Sequence, residues 1–276
     1  MSWAFRLLPA LSVAYSLARR SKLLGAPWFQ SLYVWAYFSY KRHLEDPFDG
    51  LVRLRPNLFR GGHILDVGAH IGYTSSLFRR VLTPGFRVYA FEPDPSNVQL
   101  LRRTVRACRA EGVIVPVAAA VADRDGVADL WQNPRHPGDH RLASPAFREW
   151  AADPSGGIQV PLWSLDGFLR AQGDTSPVAF VKIDVQGSEP AVCRGMEELL
   201  ARCPGVTVAV EYAPLELRSQ GFTPESLLDF FRSREWRVYV LKKDGSFVPA
   251  PAGSLDAAIQ ARGYLDLLCS RWPLEV

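Results

Sequence analysis

Three short segments carry residues whose types and spacing suit chemistry. The first, Ile64-Leu65-Asp66-Val67-Gly68-Ala69-His70-Ile71-Gly72-Tyr73-Thr74, reads as an apolar strand that ends in an acid and turns through two glycines into a helix. Glycine lets the chain turn tightly and leaves bare backbone against which a ligand can lie. A dinucleotide site needs G-x-G-x-x-G, with glycines at 68, 70 and 73, and His70 and Tyr73 break that pattern. What remains is a turn suited to a nucleoside ligand without phosphates. The second segment, Phe91-Glu92-Pro93-Asp94-Pro95, places an acid 26 residues after Asp66. At the tip of a second strand such an acid accepts hydrogen bonds from ribose hydroxyls. Pro93 and Pro95 stiffen the turn that aims it. The third segment, Phe180-Val181-Lys182-Ile183-Asp184-Val185-Gln186-Gly187-Ser188-Glu189, repeats strand, acid, glycine turn and helix. In an open sheet Asp184 is expected to emerge beside the same crevice as Asp66.

These segments need a sheet to hold them. Strands are expected at His63 to Val67, Phe86 to Phe91, Val113 to Val121, Val178 to Ile183, Val206 to Glu211 and Trp236 to Leu241. Helices are expected between them, at Thr74 to Leu82, Ser96 to Ala110, Ala191 to Ala201 and Pro224 to Arg234. Strands alternating with helices at this spacing mean βαβ units, hence an α/β fold with a mostly parallel sheet and helices on both faces. Ligands in such sheets bind outside the carboxyl ends of the strands. The pattern lapses between about residues 123 and 162. Asn133-Pro-Arg-His-Pro-Gly-Asp-His140-Arg141 and Asp153-Pro-Ser-Gly-Gly157 form turns there, so an inserted loop or small ribbon is expected.

Residues 1–58 read as a helical extension ahead of a catalytic body at 59–276. Two helices are expected in the first 45 residues, separated by Gly25-Ala26-Pro27, followed by a connecting helix from Pro47 to Phe59. The second of them, Trp28 to Tyr40, has aromatic residues on nearly every face, and such a helix wants cover all round. Packing against the body is the favoured reading. A substrate lid, a homodimer face and a membrane contact are the alternatives.

The chain resembles the FkbM family of methyltransferases, whose members carry a D-V-G-A-x-I-G turn, an F-E-P acid and a K-x-D-V-E-G-x-E motif. The likeness runs from about Leu51 to Leu241. It implies a class I methyltransferase fold of Rossmann-like type, S-adenosyl-L-methionine as donor, and an acceptor hydroxyl on a small molecule, secondary metabolite or glycan. Position by position, Asp66, Gly68, Ala69, His70 and Gly72 would shape the donor pocket and Glu92 would hold the ribose. Asp123, after the third strand, would face the adenine edge, although Asp123-Arg-Asp-Gly126 is equally a polar turn. Asp184 would border the donor and is the first candidate for acceptor contact or base, with His140 on the insertion as second. A loop histidine, however, is more often solvated. Gln186 departs from the pattern, standing where the family commonly has Glu. Lys182 and Glu211 read as a charge pair or solvated strand ends, and Glu189 as a first-turn acid that complements the helix dipole.

Composition narrows the remaining classes. Residues 1–60 hold nine Lys/Arg against three acids, a balance of +6, which leaves −2 on the rest of a +4 chain. A slightly acidic body offers no footprint for nucleic acid, and no D/N-P-P-Y motif marks a base methylase. The basic head is compatible with contact to anionic lipid, but solvation is favoured. Four scattered cysteines without metal-ligand spacing favour reduced thiols, a cytoplasmic location and no metal site. The opening Leu7 to Ala18 is broken by Pro9 and followed by Arg19-Arg20 with no cleavage motif, so neither a signal peptide nor a spanning helix is expected. Two other readings stay open: an NAD-dependent oxidoreductase, and an adenosyl-binding module without transfer, which Gln186 keeps alive.

Overall fold

The computed structural model describes residues 27–42, 46–133, 139–151, 157–251, 253, 255, 259 and 263–275. The first expected helix, before Gly25, lies outside these residues. So do parts of both turn-rich stretches of the insertion.

An eight-stranded sheet forms the centre. Its parallel half comprises β1 (His63–Val67), β2 (Val88–Phe91), β3 (Ile114–Val117), β8 (Val178–Ile183) and β9 (Thr207–Tyr212), in the order β3-β2-β1-β8-β9. That order reverses direction at β1, which is where a doubly wound sheet opens its crevice. β12 (Leu265–Ser270) then enters antiparallel between β9 and β10 (Arg237–Leu241), and β11 (Phe247–Pro249) closes the edge. β12 went unanticipated, because its antiparallel partners lie far away in sequence.

Side chains alternate across the sheet as strand geometry requires. Ile64, Val88, Phe180 and Ala209 bury one face against α2 (Phe48–Leu54), a 3-10 turn at Pro56–Phe59, α3 (Tyr73–Phe78) and α4 (Pro95–Ala107). Leu65, Val67, Val181, Ile183 and Val210 bury the other against α6 (Leu165–Gln172), α7 (Glu189–Arg194), α8 (Glu197–Arg202) and α10 (Pro224–Arg232). The same alternation and register place chemistry. Asp66 pairs across to Lys182, Lys182 to Ala209, and Glu211, two residues beyond Ala209, pairs to Asp266. All of these point toward the face that α2 and α3 cover.

The expected strand Val113 to Val121 divides in two. β3 stops at Val117, and β4 (Ala120–Val121) leaves the main sheet to pair with β7 (Gly157–Trp163). β7 also pairs antiparallel with β5 (Gly126–Trp131), which pairs with β6 (Arg141–Leu142). The expected loop or ribbon is thus a second, four-stranded sheet with its own buried cluster around Leu130, Val160 and Leu162, plus α5 (Pro145–Trp150). The expected helix Ala191 to Ala201 is likewise two, α7 and α8. The aromatic helix, α1 (Pro27–Tyr40), packs Tyr33, Tyr37 and Phe38 against Ile71, Leu100 and Tyr73, while Leu32 and Trp35 stay exposed. Among the described residues no helix is long and apolar enough to cross a membrane.

The turns after β1 and β8 touch each other. Gly68 has φ 77°, and a Cβ there would lie 1.8 Å from the Asp184 carbonyl oxygen. Gly68→Ala should therefore cost about 3 kcal/mol or more, since a left-handed backbone and a backbone clash combine. Gly61, at φ 81° with open space where a Cβ would sit, should lose only about 1–2 kcal/mol on the same change. Urea unfolding compares the two, and equal losses would show that conformation rather than contact governs position 68.

Candidate active site

A cavity of about 390 Å³ opens at the carboxyl ends of β1, β2, β8 and β9. Its apolar wall includes Val67, Phe91, Val121, Leu130 and Leu142; Tyr33, Tyr37 and Tyr40 of α1 line another side. A smaller space of about 60 Å³ adjoins it, sharing Gly68, His70, Asp184 and Glu211 and reaching Asp46 and Asp266.

Between the two main turns sits a buried ammonium. Lys182 Nζ donates to the Gly68 carbonyl at 2.9 Å and stands 3.3 Å from Asp184 Oδ2 and 3.6 Å from Asp66 Oδ1. Burial disfavours its charge, but Asp184 and Asp66 outweigh that and hold its pKa above the ordinary lysine value. Asp66 is 0% exposed, and its Oδ2 accepts from the Thr74 and Ser75 hydroxyls at 2.7 and 2.5 Å. It therefore faces α3 and Lys182 and does not line the cavity. Asp184 does line it. Burial would raise this carboxyl, yet Lys182 and Lys41 hold it below the usual carboxylate value, and Gln186 Nε2 donates to Oδ1 at 3.1 Å. An amide at 186 supports the anion where a second carboxylate would repel it. Glu189 closes the same turn, accepting from the Val185 and Gly187 amides at 3.0 and 3.1 Å.

Glu92 is 5% exposed and lines the cavity. Its Oε2 accepts from the His70 amide at 3.0 Å; its Oε1 accepts from the Asp94 amide at 2.9 Å and from Asn97 Nδ2 at 3.3 Å. A carboxylate has about four acceptor positions, so Oε2 keeps one open. Burial pushes Glu92 up to about 7 against these bonds. The neighbouring Asp94 caps α4 through the Ser96 and Asn97 amides and takes a further bond from Gln132 of the insertion. His140, only 6% exposed in its side chain, lies 3.7 Å from Asp94 through Nε2. Its Nδ1 accepts from the Asn133 amide at 3.0 Å, which assigns the ring proton to Nε2. The insertion is tied down again at Arg141, whose guanidinium meets Asp139 at 2.6 Å and Glu216 of α9 (Pro214–Ser219) at 3.2 Å.

With this geometry in view, comparison decides the family. The chain matches the Methyltransferase FkbM domain over residues 66–238, well over half its length. The chain belongs to the FkbM methyltransferase family. The FkbM chain is also 28% identical over 185 residues to methyltransferase sdnD of Sordaria araneosa, a match covering 59% of it and 70% of the relative. A shorter match, 37% identical over 82 residues, covers 30% of it and 28% of a protein-L-isoaspartate O-methyltransferase of Aeropyrum pernix. A crystallised FkbM methyltransferase of Methylobacillus flagellatus KT superposes with TM-score 0.49 at 16% identity, covering 87% of this chain. This chain spans about half the length of that protein, 52%. The sheet is the Rossmann-like class I methyltransferase arrangement that the motifs implied.

Of the residues singled out from the sequence, Gly68, His70, Glu92, Asp184 and His140 meet at the large cavity. Ala69 borders the smaller space, and Gly72, at φ 87°, starts α3 beneath the turn. His140 is buried at the site rather than solvated. Asp123 is elsewhere: its carboxylate pairs with Arg124 at 3.3 Å and Arg194 at 3.2 Å, and it lines neither space. Lys182 is a charge partner as expected, but of Asp66 and Asp184, and Glu211 is not paired with it. Reasoning from sequence gave a substrate lid as an alternative for the aromatic helix without singling out Tyr33, Tyr37 and Tyr40, and it missed the Asp94 anchor, whose N-cap signal is visible in Asp94-Pro95.

Lys182→Met should lower stability at pH 7 by about 3–5 kcal/mol, because two carboxylates lose their buried counter-ion. Asp184 is held below its ordinary value, so its contribution is present above about pH 3.9 and disappears as pH falls through the folded value. The gap between wild type and variant in urea unfolding is thus expected to narrow toward pH 3. A gap that ignores pH would assign the lysine's contribution to packing.

Proposed function

We propose that this chain transfers a methyl group from S-adenosyl-L-methionine to a hydroxyl of a small molecule, secondary metabolite or glycan. The observation that carries this reading is Glu92, a buried carboxylate with one open acceptor position facing a cavity of about 390 Å³ at the switch point of the sheet. That volume falls within the range of ligand pockets. When bound, the donor supplies an electrophilic methyl carbon on a sulfonium.

The residues present fit such a molecule. Glu92 Oε2 is available to a ribose hydroxyl, and a second hydroxyl bond needs the 3.3 Å contact from Asn97 to give way. The apolar wall of Phe91, Val121, Leu130 and Leu142 suits a purine. Gly68, Ala69, His70 and Gly72 shape the turn beneath, and Asp184, kept ionised by Lys182, presents negative charge to a cationic sulfonium or an oriented acceptor. Asp66 acts by holding Lys182 and α3. Asp123 is left out of the pocket because its carboxylate is taken up by two arginines. The tyrosines of α1 and the insertion residues Asp139 and His140 stand on the acceptor side, where positioning supplies much of the acceleration. The four cysteines are free, which fits the proposed cytoplasmic location.

With Glu92 pushed up to about 7, its carboxyl is largely protonated near pH 6 in the free protein. A donated ribose hydroxyl favours the ionised form. Binding of S-adenosylhomocysteine is therefore expected to release a proton at pH 6 and to tighten as pH rises through 7. Calorimetry in two buffers of different ionisation enthalpy measures this. Glu92→Gln should abolish the proton release and weaken binding roughly 10- to 100-fold. Undiminished affinity in the variant would refute the pocket.

A further inference from the structure

Transfer to an alcohol needs a group to take the hydroxyl proton, and most titratable side chains at the cavity are already committed. Asp184 is bound to Lys182 and Gln186. Asp139 and Glu216 share Arg141. Glu92 accepts three internal bonds, and the basic nitrogen of His140 is occupied by the Asn133 amide. Burial pushes the His70 imidazole down to about 3, which leaves it a feeble base. Glu211 differs from all of these. It lies at the carboxyl end of β9, half-buried, and borders both the large and the small space, and its carboxylate makes no hydrogen bond or ion pair with any described residue.

We propose that Glu211 is the proton acceptor for the methylated hydroxyl, an assignment that rests on the methyl-transfer reading above. As the acceptor oxygen bonds to the methyl carbon, the O–H proton passes to a Glu211 carboxylate oxygen and its bonding pair stays on oxygen. The carbon–sulfur bond breaks with its pair going to sulfur, so the sulfonium becomes a neutral thioether and Glu211 a neutral acid. Release of that proton to solvent resets the site.

The surroundings suit the task. Asp266 is the direct cross-strand partner of Glu211, and both border the smaller space. Asp184 faces it from the turn after β8, Glu189 from α7 and Glu216 from α9; Lys182 on β8 and Lys41 after α1 are the cations nearby. Burial first, and then the four carboxylates, push the Glu211 carboxyl well above the ordinary value. Asp266 is itself pushed up to about 7. A carboxylate whose proton affinity is raised takes up a hydroxyl proton more readily than an ordinary one. Its ionised, competent form grows as pH rises.

The test uses the full chain with S-adenosylhomocysteine bound and glutamate carboxyls carbon-13 labelled, the Glu211 resonance being identified by its loss in Glu211→Gln. It is expected to titrate well above the usual value of about 4.3, and Asp266→Asn should shift that midpoint down. In a panel of hydroxylated acceptors, Glu211→Gln should lower kcat roughly 100- to 10,000-fold for any acceptor the wild type methylates, with S-adenosylhomocysteine affinity unchanged. An ordinary midpoint, or kcat retained in Glu211→Gln, overturns the role of Glu211. Failure of wild type to bind S-adenosylhomocysteine would instead overturn the methyl-transfer reading itself.

Discussion

A single buried ammonium holds the two halves of the site in register. Lys182 reaches the Gly68 carbonyl, Asp66 and Asp184 at once, so the turns after β1 and β8 cannot move independently. An unpaired charge at this depth would be costly, and so would either carboxylate alone. The ion set is thus a constraint as much as a source of stability. Close approach of the backbones follows from it, which is why position 68 has no room for a side chain. Asp66, read from sequence as a strand-tip ligand, spends its carboxylate on this arrangement and on the hydroxyls that open α3.

Around that fixed centre the cavity is composite. The parallel sheet supplies Glu92 and Asp184, the inserted sheet supplies Leu130 and His140, and α1 supplies tyrosines. Asp94 joins the first two parts, capping α4 while receiving Gln132 and approaching His140. Arg141 repeats the device on the far side, bridging Asp139 and Glu216. Such polar joints help place the insertion, whose Leu130, Val160 and Leu162 also cluster with Ala191 and Phe222 of the main body. Burial first, and then the nearby Asp184 charge, raise the proton affinity of Glu211 near the end of β9 and of Asp266 near the start of β12, while Lys182 keeps Asp184 itself ionised. Among the described residues the Glu211 carboxylate has no hydrogen-bond partner.

Local pattern determined much about this protein. The strands His63–Val67 and Val178–Ile183, the glycine turns and the acids at 66, 92 and 184 follow from period-two burial, glycine conformation and the βαβ rhythm, all of which act over a few residues. The family follows from the same three segments. Tertiary structure alone decided which way those acids face. Asp66 turned inward because it shares a sheet face with Ile64 and α3, Asp123 turned to the adjacent Arg124 and to Arg194 of α7, and His140 accepts a hydrogen bond from its own loop. The second sheet, β12 between β9 and β10, and the tyrosine wall likewise depend on pairings between residues far apart in the chain. Sequence spacing carries no record of such pairings, since their free energy arises only once the sheet has brought the partners together.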